Sequence, residues 1–193
     1  MPEKSTAAES LSPIQKAALA RFAAQGFKGA SLAQIAGDVG IKTPSLYAHH
    51  KGKDDLYLSL LAPVVERELD AVRSALEKRG PLAAVLHTYL KSIGARFESS
   101  PRMRFLLQAA YLPPAHLHRD VSRHIDGYMD ATREMLAGVF AREPGGAMSP
   151  AMLAEAFQGI VDSLQAEILY GGKIRFQRRL AALWTLFANA LQG

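Results

Sequence analysis

The sequence contains no cysteine, which excludes disulfides, thiol nucleophiles and cysteine-ligated metal sites. No apolar run approaches the roughly 20 residues that a membrane helix needs. The first ten residues are polar and carry both signs of charge, so they lack the apolar stretch of a secretory signal. We expect residues 1–11 to be disordered. Together these absences predict a cytoplasmic protein with no membrane partner.

Strand patterns are also missing from the sequence. No stretch alternates apolar and polar residues for the length of a strand, while alanine and leucine are abundant. Glycine and proline cluster at intervals that divide the chain into about nine helices. The 193 residues therefore predict an all-α fold. The formal net charge of +5 is compatible with nucleic acid as a partner, although many enzymes are equally basic.

Three helix starts can be read near the N-terminus. Ser12 occupies an N-cap position with Pro13 first in the helix, and this helix should end at Gly26. Ser31 and the glutamine three residues later form a capping box for the second helix. The third helix should begin near Thr43.

The remaining helices are longer. An apolar stripe predicts one continuous helix from Asp54 to about Lys78, with Pro63 inside it as a kink. The segment 143–150 is rich in glycine and predicts a loop. Further helices are expected at 82–97, after Pro101, after Pro113-Pro114, and at about 151–170 and 174–191.

The segment Ser31–Asp55 has the layout of a helix-turn-helix. Two short helices flank a tight turn at Gly40, and small Ala36 allows them to cross closely. Inward-facing positions are Leu32, Ile35, Ala36, Val39, Ile41 and Leu46. From Lys42 to Lys53 there are three lysines, two histidines and no acidic residue, a composition suited to phosphates and base edges.

This segment resembles the N-terminal domain of the TetR family of bacterial repressors in the order of its residues as well as in their pattern. The resemblance rests on Phe22, Gly26-Phe27, Ser31–Ala36 (SLAQIA), Gly40-Ile41, Thr43–His49 (TPSLYAH) and Lys51–Leu56 (KGKDDL). It covers about a quarter of the chain. It implies a three-helix DNA-binding domain at 1–55, followed by a six-helix ligand-binding and dimerisation domain at 56–193.

The resemblance also implies roles for single residues. Those matching base-contacting positions are Thr43, Pro44 and Ser45; those matching phosphate-contacting positions are Ser31, Tyr47, His49 and Lys53, with Lys42 able to reach either. The alternatives are that Tyr47 is a surface aromatic and Ser31 only a helix cap. His50 departs from the family, which places an apolar core residue there; its ring is either hydrogen-bonded and half-buried, or the packing differs locally.

The last two helices carry apolar stripes that predict a homodimer, since in resembling proteins this pair meets its twin in a four-helix bundle. The candidate interface residues are Phe157, Val161, Leu164, Ile168, Leu180, Leu183, Trp184 and Phe187. The alternative is the core of a monomer. A two-fold dimer would read a roughly palindromic operator in double-stranded DNA.

The middle helices would enclose a pocket for a small-molecule effector of mainly apolar or aromatic character if the resemblance holds. Candidate lining residues are Phe97, Met103, Phe105, Leu107, Gln108, Tyr111, Tyr128, Met129, Phe157, Asp162 and Gln165. Each could instead be a core residue. No cofactor is expected. His116, His118 and His124 form a cluster, but their place at the start of a helix favours a polar surface over a metal site.

The function predicted is that of a sequence-specific transcriptional regulator, a repressor that a small molecule releases from its operator. An effector-independent or architectural DNA-binding protein is the alternative. An enzyme is disfavoured, because no nucleophile elbow and no glycine-rich phosphate loop after a strand can be found.

Overall fold

The computed structural model describes residues 11–142 and 148–191, and every regular element within them is helical. Residues 1–10 of the segment predicted to be disordered and residues 143–147 of the predicted loop lie outside these residues; of the rest of that loop, 148 and 149 are not helical and Pro150 begins a helix. Within the described residues, no helix combines the length and apolarity needed to cross a membrane. The α-helices are α1 (Pro13–Gly29), α2 (Leu32–Asp38), α3 (Thr43–Tyr47), α4 (Lys53–Leu58), α5 (Leu61–Leu76), α6 (Leu82–Ser99), α7 (Pro101–Tyr111), α8 (His118–Phe140), α9 (Pro150–Ala166) and α10 (Gly172–Ala190).

Both predicted N-caps of the first two helices are confirmed. The Ser12 hydroxyl accepts from the Gln15 backbone N–H, and the Gln15 side chain accepts in return from the Ser12 N–H. Ser31 and Gln34 make the same reciprocal pair at the start of α2. Each pair satisfies two backbone donors that a helix start otherwise leaves without partners. Gly26, with φ of 69°, interrupts α1 where its end was predicted.

The predicted continuous helix from Asp54 to Lys78 is wrong, because the chain forms two helices, α4 and α5, with a break at residues 59–60. Pro63 supplies the cause: it has no N–H to donate to the Ser59 carbonyl four residues earlier, and its ring crowds that carbonyl. The Gln15 side-chain nitrogen lies 3.4 Å from both the carbonyl oxygen and the hydroxyl of Ser59. A side chain from α1 thus takes over the bond that proline cannot make.

The chain packs into two compact units. Unit 1 contains residues up to 68 and residues 101–125, and unit 2 contains residues 69–100 and those from 126 onward. Unit 1 therefore joins the N-terminal helices to α7, which lies much later in the sequence. The two domains predicted from the sequence, 1–55 and 56–193, differ in their bounds from these two compact units. That division therefore stays a prediction about which residues bind DNA and which bind a ligand.

An aromatic cluster forms the centre of unit 1. The Phe22 ring contacts Tyr57 edge-on at 5.1 Å and lies 6.4 Å from Phe105, while Tyr57 lies 5.0 Å from Phe105. Phe27 adds a further ring against Tyr57 at 5.2 Å. Burial raises the pKa of the Tyr57 hydroxyl well above its ordinary value. These rings connect α1, α4 and α7.

Unit 2 has its own aromatic core around Phe157. This side chain is fully buried and lies 5.3 Å from Phe187 and 6.2 Å from Phe140, with Tyr89 at 6.1 Å. The core therefore draws on α6, α8, α9 and α10. At its edge the imidazole of His87 stacks flat on Trp184 at 4.6 Å.

The stripes of α9 and α10 pack against the core of the single chain. Six of the eight candidate interface residues are buried within the protomer, and Leu183 and Trp184 are half-buried. This burial matches the alternative of a monomer core, and contact with a second copy stays a prediction for Phe157, Val161, Leu164, Ile168, Leu180 and Phe187. The periodicity identified a buried face but not the partner that buries it.

Helices α6 and α10 pack closely against each other at Gly94. A Cβ atom at this position would lie 2.9 Å from Cε1 of Phe176, which is itself buried. We expect Gly94→Ala to lower the free energy of unfolding by about 1–3 kcal/mol, because the added methyl overpacks the ring. Denaturant titration followed by circular dichroism measures this.

Gly127→Ala on α8 is the matched control, because a Cβ there meets no atom of the described residues within 4 Å. This variant should gain about 0.5–1 kcal/mol from the helix preference of alanine. Equal effects of the two substitutions would contradict the close approach at Gly94.

Candidate nucleic-acid interface

The helix-turn-helix is held together by a small apolar centre. Ile35, Ala36 and Leu46 are buried, as the sequence predicted, whereas Leu32, Val39 and Ile41 are half-buried. The Ile41 N–H donates to the Ala36 carbonyl at 3.0 Å and closes the turn between α2 and α3. Gly40 lies in this turn with φ of 72°, a conformation that side chains with a Cβ disfavour.

An ion pair fixes α2 against α1. Both guanidinium nitrogens of Arg21 that face Asp38 donate at 2.6 Å, one to each carboxylate oxygen. This hydrogen bonding, with the attraction between the charges, holds the pKa of Asp38 below its ordinary value. The bidentate geometry restricts orientation as well as distance, so it sets the direction in which α2 leads into the turn.

The face of α3 away from this centre is polar and open to solvent, with a lysine at the N-cap and a histidine just beyond the C-terminal end. Tyr47 keeps 55% of its surface exposed, Thr43 is half-buried, and Lys42, Pro44, Ser45 and His49 are all exposed. Lys42 is the N-cap residue of α3, and the first turn holds no acidic side chain. The structure thus brings these predicted residues onto one short helix and its two ends, where hydrogen-bond donors and a positive charge face outward.

Ser31 serves as a helix cap. Its hydroxyl accepts from the Gln34 N–H at 3.2 Å and donates to the Gln34 side-chain oxygen at 3.1 Å. The cap that was considered as an alternative is therefore confirmed. A contact with phosphate stays a prediction, and the exposure of Ser31 is compatible with it.

Lys53 has a structural role that sequence analysis missed. Its ammonium donates to the carbonyl oxygens of Phe27 at 2.9 Å and Ala30 at 3.1 Å, and lies 4.4 Å from the centre of the Phe27 ring. A positive charge at the C-terminal end of a helix is favourable, because the last carbonyls carry partial negative charge. Lys53 therefore connects the end of α1 to the start of α4. An ammonium has three donors, so one is left over from these two bonds.

His50 is a hydrogen-bonded ring with little exposed surface. Its Nδ1 lies 3.0 Å from a carboxylate oxygen of Asp55, which also accepts from the Lys51 N–H at 3.3 Å. Of the two alternatives considered for His50, the hydrogen-bonded and half-buried ring is therefore confirmed. Its polar ring has Asp55 as a partner, and Leu46 remains buried.

Two of the three histidines near the start of α8, His116 and His118, contact different groups. His116 lies 3.1 Å from the Asp54 carboxylate and packs on Phe27, and His118 lies 3.4 Å from the Ser122 hydroxyl. Within residues 11–142 and 148–191, no set of three or more histidine and acidic side chains is arranged to hold a metal ion.

The candidate effector residues divide between the two units. Those of α7 belong to unit 1, where Phe105 is in the aromatic cluster and the Gln108 amide donates to the Ala23 carbonyl at 3.0 Å. Phe105 and Gln108 therefore contact other residues of the unit 1 core, as the alternative of core packing predicts. Members of unit 2 are Phe97, Tyr128, Met129, Phe157, Asp162 and Gln165.

Unit 2 buries several polar groups among its aromatic rings. Gln165 and the neighbouring Gln158, which sequence analysis did not select, are both buried, and Gln158 donates to the Asp162 carboxylate at 3.0 Å. Burial raises the pKa of Asp162, and it also raises the pKa values of Tyr89 and Tyr128. Polar groups inside an apolar surrounding are a feature of small-molecule sites.

Unit 2 also has a groove of about 460 Å³ between α6 and α10. Its floor is apolar, and its rim carries His87, Lys91 and an ion pair of Lys173 with Glu98 at 3.1 Å. None of the candidate effector residues lines this groove. They were chosen from apolar periodicity, which identifies the buried face of a helix but not a groove between the exposed parts of two helices.

Comparison with known proteins finds the same module. Residues 14–60 match the family of bacterial regulatory proteins described as the tetR family. No curated protein matches the sequence with significance.

Solved structures share the fold at low sequence identity. A TetR-family transcriptional regulator from Agrobacterium tumefaciens has a TM-score of 0.69 at 16% identity, over 90% of this chain and 94% of that one. The fatty acid degradation regulator FadR from Bacillus halodurans has a TM-score of 0.67 at 16% identity, over 96% of each chain. The regulator FadR from Bacillus subtilis, solved in complex with stearoyl-CoA, has a TM-score of 0.63 at 15% identity, over 91% and 96%.

Replacing Lys53 tests its bridging role. We expect Lys53→Met to lower the free energy of unfolding by about 1–3 kcal/mol, because two carbonyls lose a charged donor while the aliphatic stem is kept. Lys51→Met, two residues away at an exposed position, should change it by no more than about 0.5 kcal/mol. Chemical denaturation of both variants makes the comparison, and a Lys53 variant as stable as the Lys51 variant would show that the bridge contributes nothing.

Proposed function

We propose that the chain is a DNA-binding transcriptional regulator of the TetR family, a repressor that a small molecule releases from its operator; the match of residues 14–60 to that family supports this. The observation that carries the DNA-binding part is the solvent-exposed polar face of α3, flanked by Lys42 and His49, opposite a buried apolar centre. Such a short helix can enter the major groove while α2 crosses the backbone. A regulator of this kind works in the bacterial cytoplasm, where the DNA is.

Base edges are read by the start of α3 in this proposal. Thr43 and Ser45 offer hydroxyl groups that donate to or accept from bases, and Pro44 offers an apolar contact suited to a thymine methyl. Lys42, at the N-cap, contacts either a phosphate or a guanine edge. These roles follow the family positions that these residues match.

Phosphates are bound by residues around α3. Tyr47 and His49 follow the base-reading residues and are exposed, so they can reach the backbone of the DNA. Lys53 contributes its remaining donor from a position already fixed by two carbonyls. Contacts of this kind set the register of the protein on DNA without reading its sequence.

We further propose a homodimer, with its interface on surfaces of α9 and α10 that the single chain leaves open. Met152, Ala156 and Gly159 are exposed and spaced four and three residues apart along one face of α9. Ala182 and Leu186 are exposed one turn apart on α10, and Leu186 keeps 69% of its surface open. Small residues beside larger apolar ones suit close helix packing in a four-helix bundle.

Release requires an effector that prefers one form of the dimer. The operator-bound form presents its two recognition helices about 34 Å apart, one turn of DNA. An effector that binds better to a form with another spacing lowers the fraction of dimers that can bind the operator. An effector with equal affinity for both forms would leave that fraction unchanged. The buried polar groups of unit 2 support an effector site there. Such a site also favours a sensor over an architectural protein that acts without an effector.

Substitution on α3 tests DNA binding directly. We expect Tyr47→Ala and Lys42→Ala to weaken binding to DNA upstream of the protein's own gene by roughly tenfold or more, with folding unchanged because both side chains are exposed. Losing Lys42 should also reduce the dependence of log affinity on log salt by about one. A labelled fragment titrated at several salt concentrations, with unrelated DNA as competitor, gives both quantities.

Lys78→Ala, an exposed lysine in unit 2, is the matched control and should bind as the unchanged protein does. If the Tyr47 and Lys42 variants kept full affinity, α3 would not be the reading helix. If the unchanged protein preferred no sequence in a genome-wide DNA selection, sequence-specific regulation itself would be refuted.

The dimer surface is tested at Leu186. We expect Leu186→Arg to shift the protein from dimer to monomer in sedimentation experiments, because a charge would be buried against apolar residues of the twin. Leu112→Arg is the control, since Leu112 is a similarly exposed leucine at 56% but lies in unit 1. A dimer that survives Leu186→Arg as well as it survives Leu112→Arg would place the interface elsewhere.

A further inference from the structure

One buried amide in unit 2 makes only half of the hydrogen bonds available to it. Gln158 on α9 has 7% of its surface exposed. Its nitrogen donates to the Asp162 carboxylate at 3.0 Å and to the Met129 sulfur at 3.7 Å. Its oxygen, Oε1, is buried and accepts no hydrogen bond from any of residues 11–142 or 148–191. A buried acceptor in this state costs stability, and native proteins satisfy nearly all such groups.

Asp162 determines which way this amide faces. The two residues are one helical turn apart on α9, so their side chains meet. A carboxylate repels the amide oxygen and accepts from the amide nitrogen, which leaves Oε1 directed away from the acid. The free acceptor is therefore a consequence of the sequence of α9 and not of chance packing.

The surroundings combine an acid with aromatic rings. Burial raises the pKa values of the Tyr89 and Tyr128 hydroxyls, and the nearby charge of Asp162 acts in the same direction on both, while Tyr89 also lies 6.1 Å from Phe157. Burial raises the pKa of Asp162, and the charge of Glu155 raises it further, while the hydrogen bond from Gln158 lowers it. A cation that enters this site would be attracted to the charge of the carboxylate.

We infer that Gln158 Oε1 and the Asp162 carboxylate form an acceptor pair for the effector, and that the effector is an apolar or aromatic molecule bearing an N–H donor, best as a protonated amine. The inference rests on the proposed effector-dependent function. A donor from the effector satisfies Oε1, its charge pairs with Asp162, and its apolar body packs on the rings, where a cation is also attracted by aromatic faces.

The groove between α6 and α10 has the opposite electrostatic preference. Lys91, Lys173 and His87 stand on its rim, and Glu98 is the acid there. A carboxylate would therefore prefer the groove, and an amine would prefer the acceptor pair. Probes that share one hydrocarbon body but differ in charge can distinguish the two sites.

Three naphthalene derivatives provide the test: 1-naphthylmethylamine, its N,N,N-trimethyl analogue, which keeps the charge but has no N–H, and 1-naphthoate. Isothermal titration of the full chain measures their dissociation constants. We expect the amine to bind roughly tenfold or more tightly than either of the others, because only it supplies both the donor and the charge.

Variants of the pair locate the binding. Gln158→Met keeps the volume and removes the acceptor, and Asp162→Asn removes the charge; each should weaken amine binding by roughly tenfold to a hundredfold. Glu134→Gln on α8 removes one negative charge from an exposed position in the same unit and should leave amine binding unchanged. Thermal melting and operator binding of each variant confirm that it is folded.

An amine that binds no better than the trimethyl analogue or the carboxylate, or that binds equally well to both variants of the pair, overturns the inference. So does the absence of binding by all three probes. These results leave the proposed function standing if the unchanged protein binds its operator, whereas loss of sequence-specific operator binding refutes the proposed function itself. A Gln158→Met protein that melts far below the unchanged one would make the amide a structural group and also count against an effector role.

Discussion

The contact between Phe22 and Tyr57, with Phe105 beside both, is the interaction on which the DNA-binding unit depends. Phe22 is fully buried and comes from α1, Tyr57 comes from α4, and Phe105 comes from α7. The two helices that form the helix-turn-helix proper bury few large side chains of their own. They keep their orientation because these rings fix α1 and α4, because Arg21 of α1 pairs with Asp38 of α2, and because Lys53 of α4 binds carbonyls at the end of α1.

Features that depend on neighbours in the sequence could be predicted from it. The capping boxes at Ser12 and Ser31, the helix start at Thr43 and the buried centre around Leu46 each follow from residues within a few positions of one another. The all-α fold follows for the same reason, since the apolar periodicity and the positions of glycine and proline are local signals.

Features that depend on contacts across the chain could not be predicted. One helix with a kink at Pro63 was predicted, but the chain breaks into two helices at residues 59–60, where Gln15 of α1 reaches Ser59. Lys53 was selected for phosphate alone, because nothing in the sequence indicates that the carbonyls ending α1 lie beside it. The stripes of α9 and α10 showed which faces are buried, yet a stripe carries no information on whether its partner is the same chain or a second copy.

Unit 1 is not continuous in the sequence, and this affects how the protein is made. During synthesis α1 to α4 leave the ribosome well before α7, so Phe22 and Tyr57 must wait for Phe105 to cover them. The N-terminal helices alone therefore lack a ring that covers their core in the folded protein. A truncation after residue 55 would remove Tyr57 and Phe105 together, and transplanting the helix-turn-helix onto another protein would require α4 and a substitute for α7.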